Sequence, residues 1–294
     1  MRYGAIDIGS NAVRLMVTEF REEAGQTKAD KVAYIRVPIR LGEDVFESGR
    51  IGRAKEKALT SAVQAFQLLL QSMGVTRFRA CATSAMREAD NGEVVVRNIR
   101  DKTGVDIDVI SGREEADLIF SNFAIATLDK GRDYLYVDVG GGSTELTLIR
   151  EGQRLEAKSF RIGSVRLLKG KVTPEVRKEL KVWCGQLKDR HRVHSPIVIG
   201  SGGNINRLYK LAGGVGKRPI VKADLERTLD QLKAATYEEK LDRFGLKPDR
   251  ADVIVPACRI YLDTMDLFDA DTVIVPKVGL GDGMVLQLHR ENQR

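Results

Sequence analysis

Along the first twenty positions, apolar residues gather in two short blocks, Tyr3 to Ile8 and Ala12 to Phe20, split by the corner Gly9-Ser10-Asn11. Blocks of this length and composition read as strands. The charged stretch REEAGQTKAD that follows reads as a turn, and Lys31 to Arg40 as a third strand. The period then changes. From Arg53 to Met73 apolar side chains recur on one side (Ala58, Ala62, Phe66, Leu69, Leu70), which predicts an amphipathic helix. Phe78 to Ala82 predicts a short strand, Thr83 to Ala89 the opening of a helix, and Asp106 to Ile110 a further strand. In SGREEADLIF, Ser111 can cap a helix whose third following residue is Glu114, running to about Thr127.

After a break at Gly131 and Arg132 the second half repeats the plan. Strands are predicted at Tyr134 to Val139, Thr144 to Arg150 and Arg154 to Arg161, and helices from Pro174 to about His191 and from Lys222 to about Thr236. A strand IVIG runs into the loop SGGN, Thr272 to Pro276 forms a last strand, and GLGDGMVLQLHREN leads into a final helix. Alternating strands and helices define an α/β protein. AIDIGSNAVRLMVTEF and YVDVGGGSTELTLIRE are an internal repeat, with Asp7 falling on Asp138. The repeat predicts two domains of similar core, 1–126 and 127–294, with a cleft between them; the final helix, 280–294, is free to pack back on the first.

Composition narrows the function classes. At 43% hydrophobic and 30% charged residues the chain reads as a soluble globular protein. Its longest apolar runs, such as FQLLLQSM, are too short to cross a bilayer, and the strand pattern begins too early for a secretory leader, so no membrane partner is expected. Cys81, Cys184 and Cys258 are scattered, as reduced thiols of a cytoplasmic protein would be. The net charge of +7 suits either a solvated basic face or a landing surface for a polyanion. Aromatic residues reach only 6%, with no Phe/Tyr cluster beside a basic patch, which argues against nucleic acid. His191, His194 and His289 lack metal-ligand spacing and read as basic surface, Trp183 as packing, and Arg250 and Asp252 as helix caps that brace the core.

The two glycine corners carry the chemistry. Small residues let successive backbone N–H groups converge on one anion. Gly140, Gly141 and Gly142 remove every Cβ from the second corner, and Ser143 and Thr144 add hydroxyls. An acid, Asp7 or Asp138, stands at the end of each strand. Acid beside a phosphate cradle is repulsive unless a cation intervenes, which points to Mg²⁺. Each corner leads into a second strand and not a helix, against a dinucleotide fold, and GxxxxGK[ST] is absent.

DIGSNAVRL, RLGEDVFESGRI, ATSAMREADN, SGREEADLIF, DVGGGSTEL, RIGSVRL, GSGGNINRL, LKPDRADVIVP and GLGDGMV follow one another in order. With these motifs the chain resembles, over essentially its whole length, the exopolyphosphatase / guanosine pentaphosphate phosphohydrolase family, a branch of the actin–hexokinase–sugar-kinase fold. The resemblance implies two similar actin/ribonuclease-H-like domains with mixed sheets flanked by helices. It implies Mg²⁺-dependent attack of water on the terminal phosphoanhydride of inorganic polyphosphate or guanosine pentaphosphate, with Mn²⁺ as the alternative ion. Carried over, Glu115 is the first choice of general base and Glu114 the second. Asp138 and Glu145 would hold metal and water, with Asp7 opposite. Arg87 would clamp a phosphate, Arg40 would approach the outer phosphates, and Gly9, Ser10, Asn11, Gly141, Gly142 and Ser143 would form the cradles. Two positions depart from the pattern: Ala12 stands where a serine is common, and Gly281 where an arginine is usual. Both are read as losing a group that could touch substrate. The chain also lacks the C-terminal helical extension of longer relatives, which favours shorter polyphosphate or a groove across a homodimer. A phosphate sensor without catalysis, and a kinase or ATPase with an adenosine pocket at GSGGNINRL, are the alternatives.

Overall fold

A computed structural model describes the chain except Ala24, residues 124–127, Lys130, Lys217, Lys277 and Arg294, and except the side chains of Gln26, Asn122 and Phe123. The chain divides into two compact units, Met1–Ile125 with Val278–Arg294, and Ala126–Lys277.

In the first unit β1 (Arg2–Ile8), β2 (Val13–Glu23) and β3 (Gln26–Val37) form an antiparallel meander. Then come α1 (Leu41–Ser48), α2 (Arg53–Ser72), β4 (Arg77–Ala82), α3 (Ser84–Glu88), α4 (Gly92–Thr103), β5 (Asp108–Val109) and α5 (Gly112–Phe123). Among the described residues the sheet order is β3–β2–β1–β4–β5, with β4 and β5 parallel to β1.

The second unit opens with a matching meander, β6 (Asp133–Val139), β7 (Thr144–Arg150) and β8 (Gln153–Phe160). It continues through α6 (Ser164–Leu168), α7 (Pro174–His191), β9 (Ile197–Ser201), α8 (Gly203–Leu211), β10 (Ile220–Val221), α9 (Lys222–Ala234), α10 (Tyr237–Asp242), α11 (Pro248–Ala251), α12 (Ile254–Leu267) and β11 (Thr272–Ile274). Its sheet runs β10–β11–β9–β6–β7–β8, so β8–β7–β6–β9–β11 repeats the order of the first sheet. The fold is thus α/β, with two mixed sheets flanked by helices. The last helix, α13 (Leu280–Glu291), belongs to the first unit, where it lies on α5, β1, β2 and β4.

Strand alternation sets the core of the second unit. Leu135, Val137 and Val139 on β6, with Leu146 and Leu148 on β7, point to one face and join Trp183, Ile205, Tyr261 and Phe268 in the core. Trp183 meets Phe160 edge to face at 5.5 Å, as its expected packing role requires. Burial pushes the thiols of Cys81, Cys184 and Cys258 up to about 12, so all three stay protonated.

Several expectations need correction. The charged stretch Arg21–Asp30 is largely strand: β2 and β3 pair out to Glu23 and Gln26, and the exposed ends are tied by Lys28 to Glu23 and by Thr27 to Glu22. With both faces in water there is no alternation to read. The third strand ends at Val37, and α1 begins after three residues, at Leu41. The helix expected over Thr83 to Ala89 is present as α3, Ser84–Glu88, and a separate helix, α4, begins at Gly92, which lies so close to the Met86 carbonyl that a Cβ would stand 2.3 Å from its oxygen. The strand at Asp106–Ile110 shrinks to two residues, and the loop SGGN already holds the start of α8. Helix α12 was not predicted; it is mostly buried, and its exposed face is the narrow stripe Arg259, Asp263 and Asp266. The predicted end of α5, near Thr127, lies outside the described residues. His289 is not basic surface: its ring stacks on Phe20 at 4.1 Å and meets Tyr3 edge-on.

Candidate functional site

Each meander turns through a glycine corner closed by the same bond. Gly9 N donates to Ala12 O at 3.1 Å, and Gly140 N donates to Ser143 O at 2.9 Å. The carbonyls of the second corner are all taken from one side. Ser164 N and Oγ donate to Gly140 O (2.9 and 3.2 Å), and the N–H groups of Val165 and Arg166 donate to Gly141 O (2.9 and 3.1 Å). Arg166 Nε donates to Gly142 O at 2.9 Å from a buried position. In a trans peptide the C=O and the following N–H point in opposite directions. The N–H groups of Gly141, Gly142 and Ser143 therefore face away from α6 together, which is the geometry of an anion nest. In the first corner Ser10 O accepts from Gly42 N (2.8 Å) and Asn11 O from Arg40 N (3.1 Å), so the N–H groups of Asn11 and Ala12 are turned outward in the same manner.

The buttress behind each corner is itself repeated, as Arg40-Leu41-Gly42 at the opening of α1 and Arg161-Ile162-Gly163 just before α6. Neither glycine could carry a side chain there. A Cβ on Gly163 would stand 2.4 Å from the Gly141 carbonyl, and one on Gly42 would stand 3.0 Å from Ser10 Cβ. Thr144 Oγ1 donates to Ile162 O at 2.5 Å and Ser10 Oγ bonds Ser84 Oγ at 2.9 Å, so both hydroxyls lock their corners to neighbours.

Strand register makes the two corners chemically unlike. In the second unit Ser159, Glu145, Asp138 and Ser201 form one row across β8, β7, β6 and β9. Asp138 and Glu145 are direct cross-strand partners, so their carboxylates rise from the same face. Glu145 is buried and accepts from Ser159 Oγ at 2.7 Å. Gly202, at φ 101°, makes room for Asp138, since a Cβ there would stand 3.0 Å from Asp138 Oδ1. Tyr136 lies two residues along the same face, and burial, then the Asp138 charge, push its pKa well up, as they do for Tyr261. The equivalent row of the first unit is Arg36, Arg14, Asp7 and Cys81. There Arg14 Nη1 donates to Asp7 Oδ2 at 2.6 Å. One corner stands over paired acids and the other over guanidinium groups.

The remaining sequence candidates are placed individually. Glu114 and Glu115 open α5, with Glu114 N donating to the capping Ser111 Oγ at 3.1 Å. The Glu114 carboxylate is bound by Arg79 Nη2 at 2.8 Å, and Arg79 also holds Asp108 and Gln287. Burial opposes the Arg79 charge, yet the bonds to Asp108 and Glu114 drive its pKa upward. Glu115 is half-buried beside it. Arg87 is exposed and donates to Ile110 O at 2.6 Å, just before α5. Arg40, in the left-handed region at φ 58°, pairs with Glu43 at 2.9 Å. The space left by the glycines of GSGGNINRL is filled: Arg250 donates to Gly203 O at 2.8 Å and lies 2.9 Å from where a Cβ of Gly203 would be. Gly281 packs toward Met16 and Ala5, and Ala12 is fully buried. Arg14, Arg36, Arg166, Ser159 and Ser201 were not singled out from the sequence. The offset of 131 that maps Asp7 onto Asp138 also maps Arg14 onto Glu145, and the RLG/RIG repeat marks the buttress ahead of Arg166.

Among the described residues no group of three or more His, Cys, Asp or Glu side chains forms a ready-made metal cage. Mg²⁺ does not require one, since it commonly uses one or two carboxylates, waters and substrate phosphates. Two adjacent like-charged carboxylates that would otherwise repel fit such an ion. Asp7, already paired with Arg14, fits it less well.

The sequence profile of the Ppx/GppA phosphatase family matches residues 20–291. The chain is 26% identical over 295 residues to the guanosine-5'-triphosphate,3'-diphosphate pyrophosphatase of Aliivibrio fischeri, a match covering 96% of this chain and 58% of that protein. It is 26% identical to exopolyphosphatase 1 of Mycobacterium tuberculosis, covering 98% of this chain and 88% of the other. Among solved structures, the Aquifex aeolicus Ppx/GppA family member is similar with a TM-score of 0.77, 27% identity and 99% of both chains covered. An exopolyphosphatase from Cytophaga hutchinsonii is similar with a TM-score of 0.82, 25% identity, and 99% and 98% covered.

Proposed function

The chain belongs to the Ppx/GppA phosphatase family, and from that premise we propose that it hydrolyses the terminal phosphoanhydride of inorganic polyphosphate, and also of guanosine pentaphosphate, releasing orthophosphate. The observation that carries the reading is the row holding Asp138 and Glu145 beneath a nest of three outward N–H groups. Hydrolysis of a phosphoanhydride needs charge on the transferred group neutralised and a water aimed at it. The N–H groups of Gly141, Gly142 and Ser143 receive phosphoryl oxygens, and Arg166 and α6 keep that nest from rearranging. Asp138 and Glu145 are the proposed ligands of Mg²⁺, which when bound would offset phosphate charge and orient water. Arg14 and Arg36 supply positive charge at the other corner, with Arg14 held by Asp7. Of the two glutamates opening α5 we assign Glu115 as general base, the first choice by its place in SGREEA, with Glu114 bound by Arg79. Arg87 is the proposed phosphate clamp. Arg250 lying against Gly203 weighs against an adenosine pocket at that glycine, the basis of the kinase alternative.

Release of orthophosphate from polyphosphates of defined length and from guanosine pentaphosphate tests the assignment. Asp138→Asn and Glu115→Gln should each lower kcat by roughly 10²–10⁴-fold, and EDTA should abolish turnover until Mg²⁺ is restored. Glu114→Gln should keep most of the rate while lowering stability. Undiminished rates in both Asp138→Asn and Glu115→Gln would overturn the site, and tight binding without phosphate release would make the protein a sensor.

A further inference from the structure

A second basic cavity lies in the second unit, at the far end of β6 from the glycine corner. Seven strand residues separate them, roughly 20 Å at about 3.3 Å per residue. The cavity, of about 410 Å³, is bounded by Arg132, Asp133, Arg150, Arg192, His194 and Ser195. Its acid is spent, because Arg150 grips both oxygens of Asp133 at 2.6 and 2.7 Å. Asp269, the acid whose carboxylate feels the His194 charge, is held by Lys188 at 2.6 Å. Asp129 approaches Arg132 only to 3.8 Å, and both side chains are mostly in water. Two carbonyls at the end of α7, where an anion would be repelled, are occupied: Arg150 Nη2 donates to His191 O at 2.8 Å and Val193 N to Lys188 O at 3.1 Å. The net result is a guanidinium wall, Arg150 tied to Asp133, with two further cations, Arg132 and Arg192, on the same cavity.

The backbone adds a second sign at Ser195. Arg192 at φ 48° is the left-handed cap that ends α7, its N–H bonded to Lys188 O. Ser195, at φ 42°, is neither a glycine nor a helix cap, and it precedes Pro196, which restricts it further. A chain held in sparsely populated conformations is a pointer to a site. Here the two turns bring Arg192, His194 and the Ser195 hydroxyl to one cavity. Guanidinium forks, an imidazole and a hydroxyl are the donors that recognise phosphate oxygens.

We propose that this cavity is a second phosphate-group site, separate from the glycine corner, which takes orthophosphate or the end of an oligophosphate chain. The inference stands on this cavity alone and does not depend on the hydrolytic reading. The chain has three histidines, so their ring resonances give a direct readout. In metal-free buffer, titrating tripolyphosphate should shift the His194 ring resonance saturably, leaving His289, in the first unit, in place. A parallel titration with orthophosphate separates the two ligand sources: a comparable shift assigns the site to the free anion, and a much weaker one to the oligophosphate. His194→Gln identifies the signal. Arg132→Ala/Arg192→Ala should weaken the apparent affinity roughly tenfold or more, with an unchanged Tm and amide spectrum of the second unit showing that the fold is kept. Three outcomes would overturn the proposal: a stationary His194 signal with both phosphates, an equal shift from sodium chloride at matched ionic strength, or unchanged affinity in the double variant.

Discussion

At the scale of single residues, the same strand position does opposite work in the two units. Arg14 and Glu145 occupy equivalent places beside Asp7 and Asp138, giving an ion pair in one corner and paired acids in the other. Changing one residue type at one register position thus turns a cationic corner into an acidic one. His289 shows how burial resets an ordinary side chain. Burial lowers its pKa, with the amino terminus and Arg290 adding to the effect against Glu22. A histidine whose folded pKa lies below its unfolded value of about 6.5 binds its proton more readily when unfolded. Its contribution to stability is therefore intact above that value and is lost as pH falls through about 6.5 toward the folded pKa. His289→Phe, which keeps the stack on Phe20, should flatten the decline in Tm between about pH 7 and pH 5; an unchanged slope would assign the decline to other groups. In sequence, His289 looked like one more surface base, because a ring's neighbours across a sheet leave no mark on local periodicity.

At the scale of elements, glycines set how closely helices approach. Helix α13 meets α5 where Gly283 faces the Leu118 carbonyl, and a Cβ would stand 2.1 Å from that oxygen. Backbone cannot yield as a flexible side chain can. Gly283→Ala should thus destabilise the first unit by about 1–3 kcal/mol, read as a lower midpoint in urea unfolding. Gly163→Ala tests the other kind of contact. It should displace the Gly141–Gly142 backbone and raise KM for phosphate substrates more than it lowers stability. If both substitutions unfolded the protein to the same degree, the buttress would be serving the core and not the nest. The strands β1, β2, β6, β7 and β8 were legible from apolar runs and the repeated corner. Helix α12, whose wet face narrows to Arg259, Asp263 and Asp266, and the exposed tips of β2 and β3, which have no dry face, were not.

At the scale of the whole molecule, the chain ends by returning to its beginning. Helix α13 covers β1, β2 and β4 and packs along α5, although it follows the second unit in sequence. Deleting residues 280–294 should therefore injure the first unit. Amide hydrogen exchange should quicken in β1, β2 and α5 and stay unchanged in β6, β7 and β9. Faster exchange in the second sheet instead would contradict that placement.

The sequence by itself determined the α/β class, the doubled strand–corner–strand device, the acids at each strand end and the family to which they point. These are local: an apolar run, three glycines and a carboxylate are adjacent along the chain, and their spacing is visible without a fold. Tertiary structure alone decided that Asp138 faces Glu145 while Asp7 faces Arg14, that α6 takes up the carbonyls of the second corner, and that Glu114 is held by Arg79. Those facts depend on strand register and on which helix packs behind a turn. Contacts between residues far apart in sequence fix both, and no window along the chain contains them.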